Sequence, residues 1–231
     1  MIKYGNQISV AMISMNEEGS IEKIINEIRD IDSRIEIILI DSSTDKTFEI
    51  AEKNKVRVIK QYPPKGYGLA MDLALRSCTK EIIITLDCDC TYPTKEIEKL
   101  SRLVIDHGYD IVDCNRLNGQ PKNMKIVNYI GNKVFSFLAS ILFFKIIPDL
   151  HSGMRAYRSS VLKKIKYECN GPALPVELLL SFYKRKLKIK TINIDYFERV
   201  GKSKMLPLET SIWTLKRIFK VKVQQIKNLT K

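Results

Sequence analysis

Apolar runs and amphipathic stretches alternate along most of the chain. ISVAMIS (residues 8–14) has the near-continuous apolar character of a strand buried on both faces. Residues 16–31 then place Ile21, Ile24, Ile25 and Ile28 at helical spacing, with Asn16 or Ser20 as cap. The alternation continues. IEIILID (35–41), VRVIKQY (56–62), EIIITLD (81–87) and DIVDCNR (110–116) read as strands. DKTFEIAEKN (45–54), GYGLAMDLALRSC (66–78) and PTKEIEKLSRLVIDHG (93–108) read as helices between them, the last with Pro93 near its first turn. Repeated strand–helix units predict an α/β sandwich with a mostly parallel central sheet. In such sheets ligands bind at the carboxyl ends of the strands. Polar clusters stand at those ends: Asn16 to Glu18, Asp41 to Asp45, Asp87 with Asp89, and Asn115 with Arg116.

The second half has a different texture. Residues 122–144 predict a helix, DLHSGMRAYR (149–158) leads into a helix at 159–165, 175–186 is helical and 188–200 is a strand. Residues 208–226 are amphipathic, with Ile212, Leu215, Ile218 and Phe219 on one stripe and Lys216, Arg217, Lys220 and Lys222 around it. No repeat or low-complexity linker interrupts the pattern, which divides into a main domain, 1–206, and a basic amphipathic segment, 207–231.

With 231 residues, the chain is long enough for one sizeable core. Its net charge of +13 is uneven: residues 184–231 hold 14 Lys/Arg against 3 Asp/Glu, and the body before them is nearly neutral. This basic end predicts an anionic partner. Nucleic acid is not expected, because no aromatic-interleaved recognition motif accompanies the charge. VFSFLASILFF (134–144) is the most apolar run and falls short of the roughly 20 residues of a membrane span, so it predicts a core or interfacial helix. Five cysteines without framework spacing, and an N-terminus that runs straight into a strand, predict a reducing, cytoplasmic setting.

TLDCDCTYP (85–93) follows the apolar run of a strand. Asp87, Asp89 and Glu98 match the first, third and twelfth positions of a calcium loop, but Tyr92 stands where that loop needs glycine. Cys88 and Cys90 have no second C-x-C partner to complete a thiolate site. In an extended segment, Asp87 and Asp89 face one way and the cysteines the other. Two carboxylates at a strand end suit Mg2+ or Mn2+, which bind through one or two carboxylates plus phosphate oxygens.

These pieces resemble glycosyltransferase family 2 with the GT-A (Rossmann-like) fold, and within it the dolichol-phosphate mannose synthase branch. The resemblance runs from Ile8 to about Met205, through SMNEEGSI, IDSSTDKT, KGYGLAMDLAL, TLDCDCTYP, the CNR stretch, DLHSGMRAY and FERVGKSKM in the family's order. It implies a nucleoside diphosphate sugar as donor. Asn16, Glu17 and Asp41 would line the nucleotide pocket, with Lys65, Gly66 and Gly68 as the glycine turn beside the donor. Asp87 and Asp89 would hold the metal on the diphosphate, and Arg199, Lys202, Ser203 and Lys204 would clamp that diphosphate. Arg116, Lys125, Ser152 and Arg155 would face the acceptor phosphate. Asp89, Arg116 and Asp149 are the candidate catalytic residues, Asp149 orienting the acceptor or serving as base if the acceptor is a hydroxyl. His151 reads as a packing or hydrogen-bonding residue, and Glu177 as a family acidic position or a helix N-terminal carboxylate.

The sequence departs from the family at three points. Ile40 and Ser42 flank Asp41 where the family has D-D-G, Thr91 replaces a metal ligand, and only Lys122 and Lys125 represent the basic pair before the central helix. The implied reaction is an inverting transfer of a hexose, mannose before glucose, to a polyprenyl or dolichyl phosphate. Phe135, Phe137, Leu138, Phe143 and Phe144, with the basic segment near Trp213, would rest the protein peripherally on the anionic cytoplasmic face of a membrane. The alternatives are transfer to a soluble or glycan hydroxyl and a non-catalytic nucleotide-sugar-binding protein.

Overall fold

The computed structural model describes residues 1–204 and 206–229. Met205, at the end of the recognised basic loop, and the last two residues of the C-terminal segment lie outside the described residues. In chain order the strands are β1 (Ile8–Ser14), β2 (Glu36–Asp41), β3 (Arg57–Lys60), β4 (Ile82–Thr85), β5 (Ile111–Asn115), β6 (Arg155–Arg158) and β7 (Ile189–Asn193). The helices are α1 (Ile21–Ile31), α2 (Thr47–Lys53), α3 (Tyr67–Ser77), α4 (Ile97–Ile105), α5 (Ile126–Phe143), α6 (Ser159–Leu162), α7 (Leu174–Lys184) and α8 (Pro207–Leu229).

One seven-stranded sheet has the order β3-β2-β1-β4-β6-β5-β7. It is parallel except for β6, which runs antiparallel to both neighbours. The alternating faces of its strands feed two cores. Val10, Met12, Leu39 and Ile84 pack under α1 and α4, and Ala11, Ile38, Ile40 and Ile83 pack under α3 and α7. Apolar residues are therefore needed at every position of the central strands, which explains their unbroken runs. Ile21, Ile24, Ile25 and Ile28 are all buried, as their spacing predicts, and each contributes roughly 1.5–3 kcal/mol of apolar burial.

β6 is the one strand the apolar pattern did not announce. Its sequence, RAYR, begins and ends with arginine, yet Arg155, Ala156 and Tyr157 are buried. The strand tolerates a buried arginine at its start because Asp113 on the neighbouring β5 supplies a buried counter-charge.

α5 and α8 correct the amphipathic reading in detail. α5 extends over 18 residues, so the helix is longer than its most apolar run and reaches membrane-span length and apolarity. Ser136, Ala139 and Phe143 pack against the protein body, whereas Val127, Val134 and Phe137 face outward, Phe137 at 67% exposure. Phe135 and Leu138 are partly buried and belong to the inner face, while Phe144 is 85% exposed. In α8 the predicted single stripe divides. Ile218 is buried with Thr214, Arg217 and Val221, while Ile212, Leu215 and Phe219 are exposed. Arg217, expected on the solvated rim, is 1% exposed. It pairs with Glu168 at 2.6 Å and Glu177 at 3.4 Å, and donates to the Asn170 carbonyl. Glu177 is thus a buried ion-pair partner that fastens α8 to α7.

Candidate active site

The loops after β1, β2, β4 and β5 meet at the carboxyl ends of the parallel strands, with the basic loop 195–204 running across them. Asn16 takes a left-handed conformation (φ 58°) and its Oδ1 accepts from the Thr44 backbone N–H at 2.8 Å. The Asn16 N–H donates to Ser43 Oγ at 2.8 Å. Asn16 therefore ties the first two strand-end loops together. Asp41 is fully buried: Ser14 Oγ donates to it at 2.8 Å, the Ser43 N–H closes an Asx turn at 3.2 Å, and Lys60 pairs with it at 2.9 Å. Its carboxylate is therefore turned inward, both oxygens engaged by groups of the strand-end loops and β3. Asp45 accepts from the Thr47 N–H at 3.0 Å at the start of α2.

Asp87 and Asp89 sit beyond β4, where the chain bends instead of continuing extended. Cys90 adopts φ 64° at the bend, and both Cys88 and Cys90 are buried in the apolar core as expected. Asp89 is buried. Thr91 donates to its Oδ1 through both N–H (3.0 Å) and Oγ1 (2.6 Å), and Arg199 pairs with its other oxygen at 2.5 Å. Thr91 thus orients the Asp89 carboxylate. Burial, and then the negative charge of Asp89, push the Asp87 carboxyl up to about 7. Two neighbouring carboxylates that offer oxygen donors only fit a hard divalent cation. Among the described residues no cluster of three or more protein ligands exists, so substrate and water oxygens would complete the shell. Gly153 closes the other side: a Cβ there would lie 2.7 Å from Asp87 Oδ2.

Arg116 and Asp149 form a bidentate clamp. Nε and Nη2 donate to the two carboxylate oxygens at 2.7 and 2.9 Å, and the Arg116 backbone N–H adds a third bond at 3.1 Å. The rings of Tyr92 and Tyr196 lie against the guanidinium, 5.9 and 5.5 Å away. Burial raises the Asp149 carboxyl, but the Arg116 charge and hydrogen bonds outweigh it and hold the group below its ordinary value. An ionised, fully enclosed carboxylate with both oxygens engaged is a poor general base. In this arrangement Asp149 holds the Arg116 guanidinium in place.

Ser152 and Arg155 also change roles. Ser152 is buried and its hydroxyl donates to the Met154 carbonyl at 3.3 Å. Arg155 is fully buried, pairs with Asp113 at 2.6 Å and donates to the carbonyls of Pro175 and Leu150. Its guanidinium is spent inside the sheet, so it stabilises the floor of the site and does not meet the acceptor. Lys125 is exposed at the start of α5, and Lys65 is exposed beside Gly66, whose φ of 93° faces open space. Gly68 serves packing: a Cβ there would lie 1.9 Å from the Cys169 carbonyl oxygen.

The basic loop completes the enclosure. Its backbone follows the D-x-D segment, with Phe197 N–H on the Thr91 carbonyl and Val200 N–H on the Asp89 carbonyl, each at 2.9 Å. Lys204 pairs with Glu17 at 2.6 Å and reaches the Asn16 carbonyl at 3.1 Å. Lys202 and Ser203 are exposed on the same loop. Arg199 and Lys204 therefore rest on the acidic groups of the crevice and stand within reach of an anion entering it. Sequence reasoning missed Tyr92 and Tyr196 as neighbours of Arg116, because aromatic residues in a loop carry no spacing signal of their own.

The sequence model of glycosyl transferase family 2 matches residues 9–166. The chain belongs to this family. It is a glycosyltransferase. It is 36% identical over 221 residues to a dolichyl-phosphate hexose transferase of Haloferax volcanii, covering 95% of this chain and 96% of that protein. It is 26% identical to the UDP-N-acetylglucosamine–dolichyl-phosphate N-acetylglucosaminyltransferase of Methanococcus voltae, over 83% of this chain and 88% of that one. Among solved structures, glucosyl-3-phosphoglycerate synthase of Mycobacterium tuberculosis, in complex with Mn2+, UDP and phosphoglyceric acid, superposes with a TM-score of 0.76. That likeness, at 21% identity over 95% of this chain and 80% of the other, establishes the GT-A fold.

Proposed function

We propose that this transferase moves a hexose from a nucleoside diphosphate sugar to a polyprenyl or dolichyl phosphate, with inversion at the anomeric carbon. Mannose is the favoured sugar and glucose the next. The observation that carries the reading is the state of Asp149. A hydroxyl acceptor needs a base, and Asp149, the candidate for that role, is buried and bound on both oxygens by Arg116 and the His151 N–H. A phosphate monoester brings its own anionic oxygen. That oxygen attacks the anomeric carbon, the bond from that carbon to the donor's β-phosphate oxygen breaks, and the nucleoside diphosphate leaves with the electron pair. The names of the two dolichyl-phosphate relatives support the same acceptor.

The residues divide by charge. Asp87 and Asp89 would hold Mg2+ or Mn2+, which would neutralise charge growing on the leaving diphosphate. The complex of the M. tuberculosis synthase with Mn2+ and UDP supports this ligand class. Arg199, Lys202, Ser203 and Lys204 clamp the diphosphate, and Glu17, Asn16 and Lys65 border the nucleotide. Arg116, whose Nε and Nη2 are held by Asp149, would turn Nη1 to the acceptor phosphate, with Lys125 at the rim.

The enzyme works peripherally on the cytoplasmic membrane face. The outward stripes of α5 and α8 lie on neighbouring helices, and lysines flank them; Lys222 sits 5.3 Å from the Phe144 ring. Apolar burial with nearby cations is the pattern of an interfacial surface on anionic lipid.

A nucleotide-sugar panel with polyprenyl phosphate, with and without Mn2+, tests the reading against Asp89→Ala. The expected result is metal-dependent transfer reduced by on the order of 10²–10³-fold in the variant, the scale of removing one electrostatic stabiliser. Transfer indifferent to both metal and Asp89 would contradict it.

A further inference from the structure

The segment Asp149–His151 is gripped from outside the catalytic crevice. The His151 ring lies between two helices: its Nε2 meets Thr214 Oγ1 of α8 at 2.8 Å, and it packs edge-to-face with the Phe135 ring of α5, centroids 5.6 Å apart and planes inclined by 65°. The neighbouring Leu150 N–H donates to Ser136 Oγ of α5 at 3.0 Å. On its inner side, the backbone N–H of His151 donates to Asp149 Oδ1 at 3.1 Å, the same oxygen that receives Arg116 Nη2.

Thr214 is fully buried in the inward stripe of α8, beside Arg217 and Ile218. A hydroxyl in that stripe is unfavourable without a partner, and His151 is the partner. Arg217, one turn on, locks the helix register through Glu168, Glu177 and the Asn170 carbonyl. Among the described residues His151 Nδ1 has no hydrogen-bond partner, so Thr214 supplies the ring's polar anchor.

We propose that His151 is a positioning residue through which α5 and α8 fix the Arg116–Asp149 clamp, with Thr214 as its anchor. The inference rests on Arg116 facing the reacting phosphates. A merely satisfied core histidine would be replaceable without consequence for the clamp; here one residue joins the helix contact and the clamp contact. The C-terminal helix, which presents an apolar face outward, is thereby part of the catalytic geometry.

Thr214→Val removes the hydroxyl and keeps the shape; Thr214→Ser restores it. Two readouts are taken on the full chain: the Arg116 Nε–H resonance by NMR, which requires no acceptor, and steady-state transfer to polyprenyl phosphate. The expected result for Thr214→Val is a displaced or broadened Arg116 signal and a kcat lower by about tenfold, the scale of one buried hydrogen bond, with the nucleotide-sugar KM held within about twofold. Thr214→Ser should recover both readouts. If Thr214→Val does not fold, His151→Ala carries the same expectations. An unmoved Arg116 signal, an unchanged kcat where transfer occurs, or equal impairment in Thr214→Ser overturns the proposal. If the wild type transfers nothing to polyprenyl phosphate, the acceptor assignment fails and the NMR comparison still decides the coupling.

Discussion

Replacing Arg155 with methionine separates a scaffold role from an acceptor-binding one. The Arg155 and Asp113 side chains are each 1% exposed and pair at 2.6 Å across β6 and β5. Arg155→Met leaves Asp113 buried without its counter-charge and strands the carbonyls of Leu150 and Pro175. Breaking a buried pair from one side costs roughly 3–5 kcal/mol. For a chain of this length each kcal/mol is worth about 2–4 °C, so Tm should fall by roughly 6–20 °C. Adding Asp113→Leu removes the orphaned charge and should recover most of the loss. Thermal melts followed by circular dichroism give the stability, and acceptor titration below the variant's transition gives KM. The acceptor KM should stay within about twofold of wild type, because the guanidinium does not reach the crevice. A variant that melts with the wild type while its acceptor KM rises by more than about tenfold would refute this reasoning.

Burial holds the His151 imidazole down to about 4, below its unfolded value near 6.5. The native state therefore binds fewer protons over that interval, and the stability present above pH 6.5 is lost as pH falls toward 4. The loss between pH 7 and pH 5 should be about 2 kcal/mol, read as a drop in urea midpoint that His151→Gln largely removes. On α5, Val127→Glu with Phe137→Glu should leave the melting temperature unchanged, because both side chains point outward. It should weaken co-sedimentation with anionic vesicles by more than about tenfold, since each buried apolar side chain contributes roughly 1.5–3 kcal/mol. Unaltered vesicle binding would remove α5 from the membrane surface.

The parallel strands and their helices were legible because a sheet covered on both faces demands apolar residues without interruption, as Ile37 to Ile40 and Ile82 to Ile84 illustrate. The place of Asp87 and Asp89 just beyond a strand was legible from the apolar run before them. β6 was hidden because its burial depends on an ion pair between Arg155 and Asp113, 42 positions apart. Charge type alone made Arg155, Arg116 and Arg217 look equivalent. Tertiary contacts distinguish them: one inside the sheet, one clamped at the crevice and one locking α8 to α7. The same lack of directional information placed Asp41 and Asp149 as open carboxylates, whereas both are enclosed by hydrogen bonds. The outward and inward stripes of α8 were merged because an amphipathic period shows where apolar residues recur, and a helix packed along one side can carry them on both.

The central claim is that a phosphate oxygen of a lipid is the nucleophile. Mass spectrometry of the lipid product, with quantification of the released nucleotide, tests it most directly. The account predicts a polyprenyl monophosphate carrying one hexose and one nucleoside diphosphate released per transfer. A lipid diphosphate-linked sugar with nucleoside monophosphate release, or a hexose found only on a soluble hydroxyl, would contradict it.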